Sequence, residues 1–249
     1  MKLSDFKVLP FDCYGTLIDW ESGILKALLP LTNQIVTGLT TDQILEAYAR
    51  QEGAMEAQNP RMLYSDLLTI VHQRLAEEWG IKTNANENRQ FAASIKDWPA
   101  FPDSVAALRY LKQYFKLVIL SNVDRRSFHH SNEHLGVEFD QIYTAEEIGS
   151  YKPDLRNFEY LLSKLATLGY RKPDILHTAE SLYHDHAPAN RFGVASAWIH
   201  RRHGQSGSGA TTPLAIMPTY NFRFTSMAEM VAAHARELTL GQSDASKPH

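Results

Sequence analysis

A short apolar run that ends in polar residues lies near the start of the sequence, and it constrains the fold more than any other stretch. The run is Val8–Phe11, and Asp12-Cys13-Tyr14-Gly15-Thr16 follows it. An apolar run of this length before a glycine turn predicts a buried first strand with a carboxylate at its carboxyl end. Open α/β sheets bind their ligands at that edge. Taken alone, the stretch also fits an ordinary Asp-Gly turn after a strand.

Strand and helix patterns alternate through the second part of the chain. A second apolar run, 116–120, leads into Ser121-Asn122, and a helix over 125–135 is ended by Gly136. Strand and helix patterns then alternate through 139–143, 157–168, 175–179, 187–192 and 195–199, and 226–238 predicts a closing helix. Residues 200–212 predict a surface loop and 241–249 a frayed tail. The alternation is typical of the α/β class with a doubly wound, Rossmann-like parallel sheet.

Between the first and second strands the chain is almost wholly helical. Thr40 and Gln43 predict a capping box at the start of one amphipathic helix, and a second helix stops at Gly80. A polar break is expected at 84–88. Roughly 75 residues of helix are too many for a simple crossover between parallel strands, and they match an inserted helical cap.

This pattern predicts two units. Residues 1–18 and 97–249 would form a Rossmann-like catalytic core, and residues 19–96 a helical cap. Pro99 and Pro102 mark the return from the cap to the core. The apolar helices of the cap could also serve as the interface of a homodimer.

Composition excludes several classes of function. The formal net charge is -3 at pH 7, so the chain lacks the basic footprint of a nucleic-acid-binding protein. Cys13 is the single cysteine, which excludes an internal disulfide and fits a reducing compartment. No apolar run approaches the ~20 residues of a membrane helix, and residues 1–5 lack the apolar core of a signal peptide. We therefore expect a cytoplasmic protein that binds neither nucleic acid nor a membrane.

Four polar stations in a fixed order resemble the haloacid dehalogenase superfamily of hydrolases and phosphotransferases. They are Asp12, Ser121-Asn122, Lys152 before Pro153, and Glu180 with Asp185. The resemblance covers residues 6 to about 238. Within the superfamily, the pattern Asp-x-Tyr-Gly-Thr-Leu that starts at Asp12 is similar to the L-2-haloacid dehalogenase (type II) branch. The phosphatase branches usually have a second aspartate where this chain has Tyr14.

The resemblance implies a reaction centre built on Asp12. Asp12 would be the nucleophile, since an ionised carboxylate held at a rigid strand end attacks carbon or phosphorus well. Thr16 would orient Asp12 through its hydroxyl. Lys152 would keep Asp12 ionised by lowering its pKa. The adjacent Cys13 should face the opposite side of the strand, and we interpret it as buried packing.

The residue two positions after the nucleophile separates two types of reaction. Cleavage of a phosphate monoester expels an alkoxide that must be protonated, so the phosphatases of the superfamily place a carboxylic acid there. Halide leaves as a stable anion. A tyrosine, with a pKa of about 10, is a poor acid, but it can wall an apolar pocket around a carbon–halogen bond. Tyr14 therefore favours dehalogenation, unless it only packs against the cap.

Three further residues are expected to bind the substrate. Ser121 and Asn122 follow the second strand, where a hydroxyl and an amide can hold a carboxylate or phosphate oxygen. By position, Arg50 resembles the arginine with which the dehalogenase branch grips halide or carboxylate. Arg61 is a rival for that role. The structural alternatives are a helix cap formed by Ser121-Asn122 and a solvated helix face for Arg50.

The last station departs from the dehalogenase pattern. Where that branch has Ser, Asn and Asp, this chain has Glu180, Leu182 and Asp185. Phe158 also stands where that branch has a tyrosine. Three carboxylates would then converge near one lysine, and like charges raise one another's pKa unless a cation intervenes.

Magnesium would supply such a cation. Its ligands would be Asp12, Glu180, Asp185 and the backbone oxygen of Tyr14, because Mg²⁺ binds few protein carboxylates and keeps several waters. The alternative sources of balancing charge are Arg50, His184 and His186.

The favoured hypothesis is a hydrolase that removes halide from short 2-haloacids, which are small anions, without a cofactor. Asp12 would displace halide at C2 to form an ester, and water activated through Asp185 or a neighbour would hydrolyse it. The alternative hypothesis is a magnesium-dependent phosphatase that acts on a small phosphorylated metabolite through an aspartyl-phosphate. A third hypothesis, a non-catalytic member of the fold that binds an acidic metabolite, is disfavoured by the intact Asp12 and Lys152.

Overall fold

A computed structural model describes residues 1–205, 207, 209–212 and 214–245, with side chains up to residue 241. In this part of the chain six strands form one sheet: β1 Val8–Phe11, β2 Lys116–Ser121, β3 Gln141–Thr144, β4 Leu176–Ala179, β5 Ala195–Ile199 and β6 Phe222–Phe224. Their order is β3-β2-β1-β4-β5-β6, and all neighbours are parallel. The predicted Rossmann-like sheet is confirmed. The strand order reverses between β1 and β4, which is where such sheets bind ligands.

A helical insert follows β1. It contains α1 Trp20–Thr32, α2 Thr41–Gln58, α3 Tyr64–Glu78, α4 Ala85–Ala93 and a 3₁₀ turn, Ser94–Asp97. Thr40 and Gln43 form the predicted capping box at the start of α2. Gly80, with φ of 69°, follows α3 in the left-handed conformation. The predicted helical cap is therefore present as a separate set of helices.

The polar break expected at 84–88 is wrong, because these residues start α4. The Asn84 side chain accepts hydrogen bonds from the backbone amides of Asn86 and Glu87, at 2.9 and 3.1 Å. In return, the Glu87 carboxylate accepts one from the Asn84 amide, at 3.1 Å. Polar residues that satisfy the free amides of a first turn stabilise a helix start, so polarity marks a beginning here.

Helices cover both faces of the sheet. They are α5 Ser104–Leu111, α6 Arg125–Leu135, α7 Ala145–Ile148, α8 Arg156–Thr167, α9 Ala187–Phe192 and α10 Met227–Ala245. Successive residues of β1 enter different hydrophobic clusters, Val8 on one face and Leu9 on the other. Cys13 is fully buried in the Leu9 cluster, which confirms its packing role. None of the helices in the described ranges has the length and apolar character needed to cross a membrane.

The C-terminal part departs from the prediction in three places. β6 was missed, because a three-residue edge strand carries too short a pattern. α10 continues to Ala245, so 241–245 are helical, whereas 246–249 of the expected tail lie outside the described residues. Gly241 does not break the helix, since it lacks a positive φ. The predicted surface loop 200–212 is exposed only in part, because Gly209 and Ala210 are buried.

The segments that enter and leave the helical insert lie side by side. The Asp19 amide donates to the Pro99 carbonyl at 2.8 Å, and the Phe101 amide donates to the Leu17 carbonyl at 3.0 Å. The insert is therefore joined to the sheet through two neighbouring backbone segments just beyond β1.

Candidate active site

One cavity lies between the carboxyl ends of the strands and the helical insert. Its empty volume, which includes space open to solvent, is about 440 Å³. The core contributes Asp12, Tyr14, Ser121, Asn122, Val123, Lys152, Ser181, His184, Asp185 and Thr211, and the insert contributes Trp20, Glu52, Glu56 and Tyr64. Most of the residues that the sequence assigns to catalysis or substrate binding line this cavity. Thr16 does not line it but bonds to Asp12, which does. Arg50 is the exception.

Lys152 joins two carboxylates at the base of the cavity. Its Nζ donates to Asp12 Oδ1 at 2.9 Å, to Asp185 Oδ1 at 2.8 Å and to the Leu120 carbonyl at 2.8 Å. An ammonium group has three protons, so all of them are used. Its side chain is 2% exposed. The structure thus brings Lys152 and Asp12 together, as the resemblance implied.

The pKa values of the two carboxyl groups that Lys152 bonds are shifted in opposite directions. Burial raises the pKa of Asp12; Lys152 acts against this shift, and the nearby Asp185 adds to it. Burial would also raise the pKa of Asp185, but Lys152 and His177 outweigh it and hold the pKa below its ordinary value. The expectation that Lys152 leaves Asp12 with a lowered pKa is therefore wrong, because burial outweighs the effect of the lysine.

Thr16 holds the other oxygen of the Asp12 carboxylate. Its Oγ1 donates to Asp12 Oδ2 at 2.7 Å and accepts from the Glu180 amide at 2.8 Å. Gly15 makes the turn with φ of 86°, and a Cβ there would lie 3.0 Å from Trp20 Nε1. The sequence therefore needs glycine at this position, both for the backbone angle and for the close approach of Trp20.

Arg201 fixes the same turn and was missed by sequence reasoning. Its guanidinium donates twice to the Thr16 carbonyl, at 3.1 and 2.8 Å, and forms an ion pair with Asp103 at 2.9 Å. It also lies over the Phe101 ring, 4.1 Å from the centroid. No local sequence pattern indicates this contact, because Arg201 lies far along the chain from Thr16.

Tyr14 fits both of its interpretations. It lines the cavity, and its ring also packs edge-on against Trp98, which follows the helical insert, with centroids 5.8 Å apart. Its hydroxyl forms a 2.6 Å hydrogen bond with Ser131 Oγ. Burial raises the pKa of Tyr14 well above 10. This hydroxyl is therefore a poor proton donor to a leaving group.

Ser121 and Asn122 have different positions in the site. Ser121 Oγ is buried and has no hydrogen-bond partner among the residues that the structure describes. Asn122 is engaged: its Nδ2 donates to the Lys152 carbonyl at 2.9 Å and to Glu56 Oε1 at 3.2 Å, and its Oδ1 accepts from the Lys152 amide at 2.7 Å. Asn122 therefore positions the backbone of Lys152.

Arg50 does not reach the cavity. Its guanidinium is exposed and pairs with Glu78 of α3. Tyr48, Glu52 and Glu56 of α2 face inward at a spacing of four residues, and a residue two positions after Tyr48 points away from that face. The role predicted for Arg50 is therefore not supported by this geometry. Arg61, its rival, also stays outside the cavity lining.

Glu52 and Glu56 line the cavity, although no sequence motif marks them. Glu52 Oε1 accepts hydrogen bonds from the hydroxyls of Tyr48 at 2.9 Å and Tyr64 at 2.5 Å. Burial raises the pKa of Glu52 to about 7 and raises the pKa of Glu56 well above its ordinary value. Their positions could have been predicted from the sequence, because Glu52 and Glu56 follow Tyr48 at intervals of four residues and so share its buried face of α2.

His177 was also missed. It lies in β4 with no exposed surface, and its Nε2 is 2.8 Å from Asp185 Oδ1. A histidine inside a short apolar strand carries no motif of its own. Its contact with Asp185 arises from the π-helical turn Leu182–His186, which returns the chain towards the end of β4.

The residues of the alternative magnesium site do not come together. Glu180 faces a neighbouring cavity, where its Oε2 accepts from Thr211 Oγ1 at 3.2 Å and burial raises its pKa to about 8. Asp12 and Asp185 each bond the ammonium of Lys152, at 2.9 and 2.8 Å. Within the described ranges, no three His, Cys, Asp or Glu side chains lie where they could hold a metal ion. The predicted ligand set therefore does not fit Mg²⁺ in this arrangement.

The proposed sources of balancing charge are also wrong. Burial lowers the pKa of both His184 and His186 to about 4, so these imidazoles are neutral near pH 7. His186 is occupied by Ser196 and the Ala179 carbonyl, at 2.9 and 3.0 Å. With Arg50 outside, Lys152 is the one lysine or arginine side chain among the described lining residues.

A Rossmann-like sheet with a lysine-paired aspartate at its first strand end, under a helical insert, defines a class of hydrolase. A protein-family model described as haloacid dehalogenase-like hydrolase matches residues 6–175. This match covers more than half of the sequence, so the chain belongs to the haloacid dehalogenase-like hydrolases.

Individual relatives lie in the branch indicated by Tyr14. An (S)-2-haloacid dehalogenase from Pseudomonas fluorescens is 29% identical over 225 residues, 88% of this chain and 92% of that protein. Another from Pseudomonas putida is 24% identical over 233 residues, 92% and 96%. The solved structure of L-2-haloacid dehalogenase from Xanthobacter autotrophicus with chloropropionic acid covalently bound has a TM-score of 0.73 at 16% identity, and the match covers 91% of this chain and 97% of that one.

Proposed function

We propose that the protein hydrolyses the carbon–halogen bond of short 2-haloacids through an ester formed on Asp12. The observation that carries the proposal is the way Asp12 is held in the cavity. Lys152 bonds one carboxylate oxygen at 2.9 Å and Thr16 the other at 2.7 Å. A nucleophile fixed by donors at a strand end needs little reorganisation before it attacks. The two relatives described above are (S)-2-haloacid dehalogenases, which supports the same reaction class.

In the first step, an Asp12 oxygen attacks C2 of the substrate. The new carbon–oxygen bond forms the ester as the carbon–halogen bond breaks, and halide leaves with the bonding electron pair. Halide needs no proton. This suits a site in which the group two residues after the nucleophile is Tyr14, whose hydroxyl is held by Ser131 at 2.6 Å.

In the second step, water adds to the ester carbonyl carbon. The bond from that carbon to the substrate oxygen breaks, which releases a 2-hydroxy acid and a proton and restores the Asp12 carboxylate. Asp185 lines the cavity with Oδ1 held by Lys152 and His177, while its buried Oδ2 is without a partner in the described part of the chain. Because its pKa is lowered, Asp185 stays ionised, and we assign Oδ2 to orienting the attacking water.

The substrate carboxylate is assigned to the donors of the sheet edge. Ser121 Oγ is buried at the end of β2 and lacks a partner among the described residues, so it is available to donate to a carboxylate oxygen. Asn122 acts as a positioning residue for Lys152. The helices of residues 19–96 act as the cap of this cavity, with residues 1–18 and 97–249 as the core.

Chloride release from 2-chloropropionate tests the reaction, with Asp12→Asn expected to lose it and the exposed Asp97→Asn expected to keep it. A single turnover with excess enzyme in ¹⁸O-labelled water tests the ester. Attack of water on the ester carbonyl puts the label into the Asp12 carboxylate, which mass spectrometry of the peptide detects. Label found only in the 2-hydroxy acid would contradict the ester route.

p-Nitrophenyl phosphate distinguishes the phosphatase hypothesis. We expect no magnesium-dependent turnover of this compound, and dehalogenation that EDTA leaves unchanged. Turnover of p-nitrophenyl phosphate that EDTA abolishes, without halide release, would replace the proposed function by phosphate ester hydrolysis.

A further inference from the structure

The part of the cavity wall that α2 contributes is acidic, and the proposed reaction does not use it. Glu52 and Glu56 lie one helical turn apart, line the cavity and are 5% and 7% exposed. With Asp12 and Asp185, they bring four carboxyl groups to one small space. Buried carboxylates are costly unless a cation or several donors face them.

Lys152 cannot donate a hydrogen bond to Glu52 or Glu56. Its three protons go to Asp12, Asp185 and the Leu120 carbonyl. The other donors to the α2 glutamates are neutral: two tyrosine hydroxyls bond Glu52, and the Asn122 amide bonds Glu56. His184 Nε2 lies 3.9 Å from Glu56 Oε2, but the lowered pKa of His184, about 4, leaves it uncharged near neutral pH.

The charge of the cavity therefore matches a particular kind of substrate. Burial raises the pKa of both glutamates, so they tend to hold their protons, and the described lining has no unused lysine or arginine that would let them ionise. A substrate with a cationic end opposite its reacting carbon would lower these pKa values and form charge-assisted hydrogen bonds with the ionised glutamates. Recognition by charge complementarity excludes wrong partners as well as attracting the right one.

We propose that Glu52 and Glu56 select a 2-haloacid that carries an ammonium group at its far end, that is, a halogenated amino acid. This inference rests on the proposed function of Asp12. Ser121 receives the substrate carboxylate, Asp12 attacks C2, and the ammonium lies against the α2 glutamates, where it donates to Glu56 Oε2 and to the unshared oxygen of Glu52.

Binding of two unreactive compounds tests the selectivity without any chemistry. 4-Aminobutanoate and pentanoate have the same chain length and differ by an ammonium in place of a methyl group. In calorimetric titrations we expect the wild-type protein to bind 4-aminobutanoate at least about tenfold more tightly, as for a charge-assisted hydrogen bond. Glu56→Gln should remove most of this preference, whereas Glu46→Gln, an exposed position on the same helix, should retain it.

Several results would overturn the inference. Equal or tighter binding of pentanoate by the wild-type protein would do so, and so would a preference that survives in Glu56→Gln. If Glu56→Gln does not fold, as judged by circular dichroism, Glu52→Gln takes its place, because glutamine keeps an oxygen acceptor for the two tyrosines.

Chloride release separates this inference from the proposed function. We expect 4-amino-2-chlorobutanoate to release chloride with a kcat/KM at least about tenfold above that of 2-chloropentanoate. Release from 2-chloropentanoate alone would overturn the selectivity but keep the dehalogenase function. Release from neither compound would contradict the proposed function, and the calorimetric comparison would then decide the charge selectivity by itself.

Discussion

Lys152 is shared between two buried carboxylates, and this sharing sets the charge of the reaction centre. One ammonium faces Asp12 and Asp185 at nearly equal distances, 2.9 and 2.8 Å. Asp185 has His177 as an additional partner at 2.8 Å, and this partner makes it the more strongly ionised of the two. Asp12 is therefore the carboxylate that protonates first as the pH falls.

Replacement of the shared ammonium should damage both activity and stability. Lys152→Met leaves two buried carboxylates facing each other, and removal of one partner from a buried ion pair costs about 3–5 kcal/mol. We expect loss of measurable halide release and a lower midpoint in urea unfolding. Lys82→Met, at an exposed site, is the matched control and should change neither. Full activity in Lys152→Met would contradict the role assigned to the lysine.

The pKa of Asp12 predicts the acid side of the pH profile. In the proposed reaction only the ionised carboxylate attacks C2, and burial raises the pKa of Asp12 above the ordinary aspartate value of about 3.9. The rate should therefore fall as the pH decreases through the raised pKa, at a higher pH than a solvent-exposed aspartate would give. The pH dependence of kcat/KM for halide release measures this, because it reports groups of the free enzyme. An acid limb at or below pH ~3.9 would contradict the upward shift.

At the scale of elements, the contact between α1 and the segment that leaves the insert fixes one wall of the cavity. Gly23 of α1 lies against Trp98, and a Cβ at that position would be 2.4 Å from the indole ring. Trp98 in turn packs edge-on against Tyr14. A glycine inside a helix is here required by the close approach of an aromatic ring.

Two glycine substitutions on neighbouring helices should have opposite effects. Gly23→Ala forces Trp98 to move, and overpacking of this kind costs about 1–3 kcal/mol. It should also slow halide release, because a displaced Trp98 would shift the Tyr14 ring that packs against it. Gly53→Ala in α2 has nothing within 4 Å of the new methyl group, so it should stabilise the protein by about 0.5–1 kcal/mol. Urea unfolding of both variants measures these changes, and equal stability of the two would contradict the packing argument.

The sequence was informative wherever a residue's position follows from the end of a strand. Asp12 and Ser121 could be placed because the carboxyl ends of parallel strands meet at one edge. The direction of Arg50 could not be read from its resemblance, because it depends on the phase of α2, where Glu52 and Glu56 face the cavity instead. Contacts made by distant segments, such as Arg201 with the Thr16 carbonyl, depend on tertiary packing that no local pattern records.

At the scale of the whole molecule, the acidic cavity wall should make stability depend on pH. Burial raises the pKa of Glu52 to about 7 in the folded protein, although hydrogen bonds from Tyr64 and Tyr48 act in the opposite direction. In the unfolded chain it returns to about 4.3. The folded state thus holds the proton more tightly. This contribution to stability is complete below the unfolded pKa and is lost as the pH rises through the folded pKa.

Glu52→Gln should remove this dependence. The free energy of unfolding of the wild-type protein should fall by up to about 3 kcal/mol more between pH 4 and pH 8 than that of the variant. Urea unfolding at several pH values gives the comparison, with Glu46→Gln expected to behave as the wild type. Parallel curves for Glu52→Gln and the wild type would show that the burial of this carboxyl group is not linked to folding.

The homodimer expected from the apolar cap helices stays a prediction.

The paired backbone segments at the foot of the helical insert also determine how the molecule can open. Any rocking of the insert must pivot where Asp19 is bonded to Pro99 and Phe101 to Leu17, a hinge only a few residues from Asp12. Admission of a substrate and alignment of the attacking oxygen are then mechanically connected, because the hinge and the reactive turn share the same short length of polypeptide. If the insert closes over a ligand, the same movement would bring Glu52 and Glu56 towards Asp12.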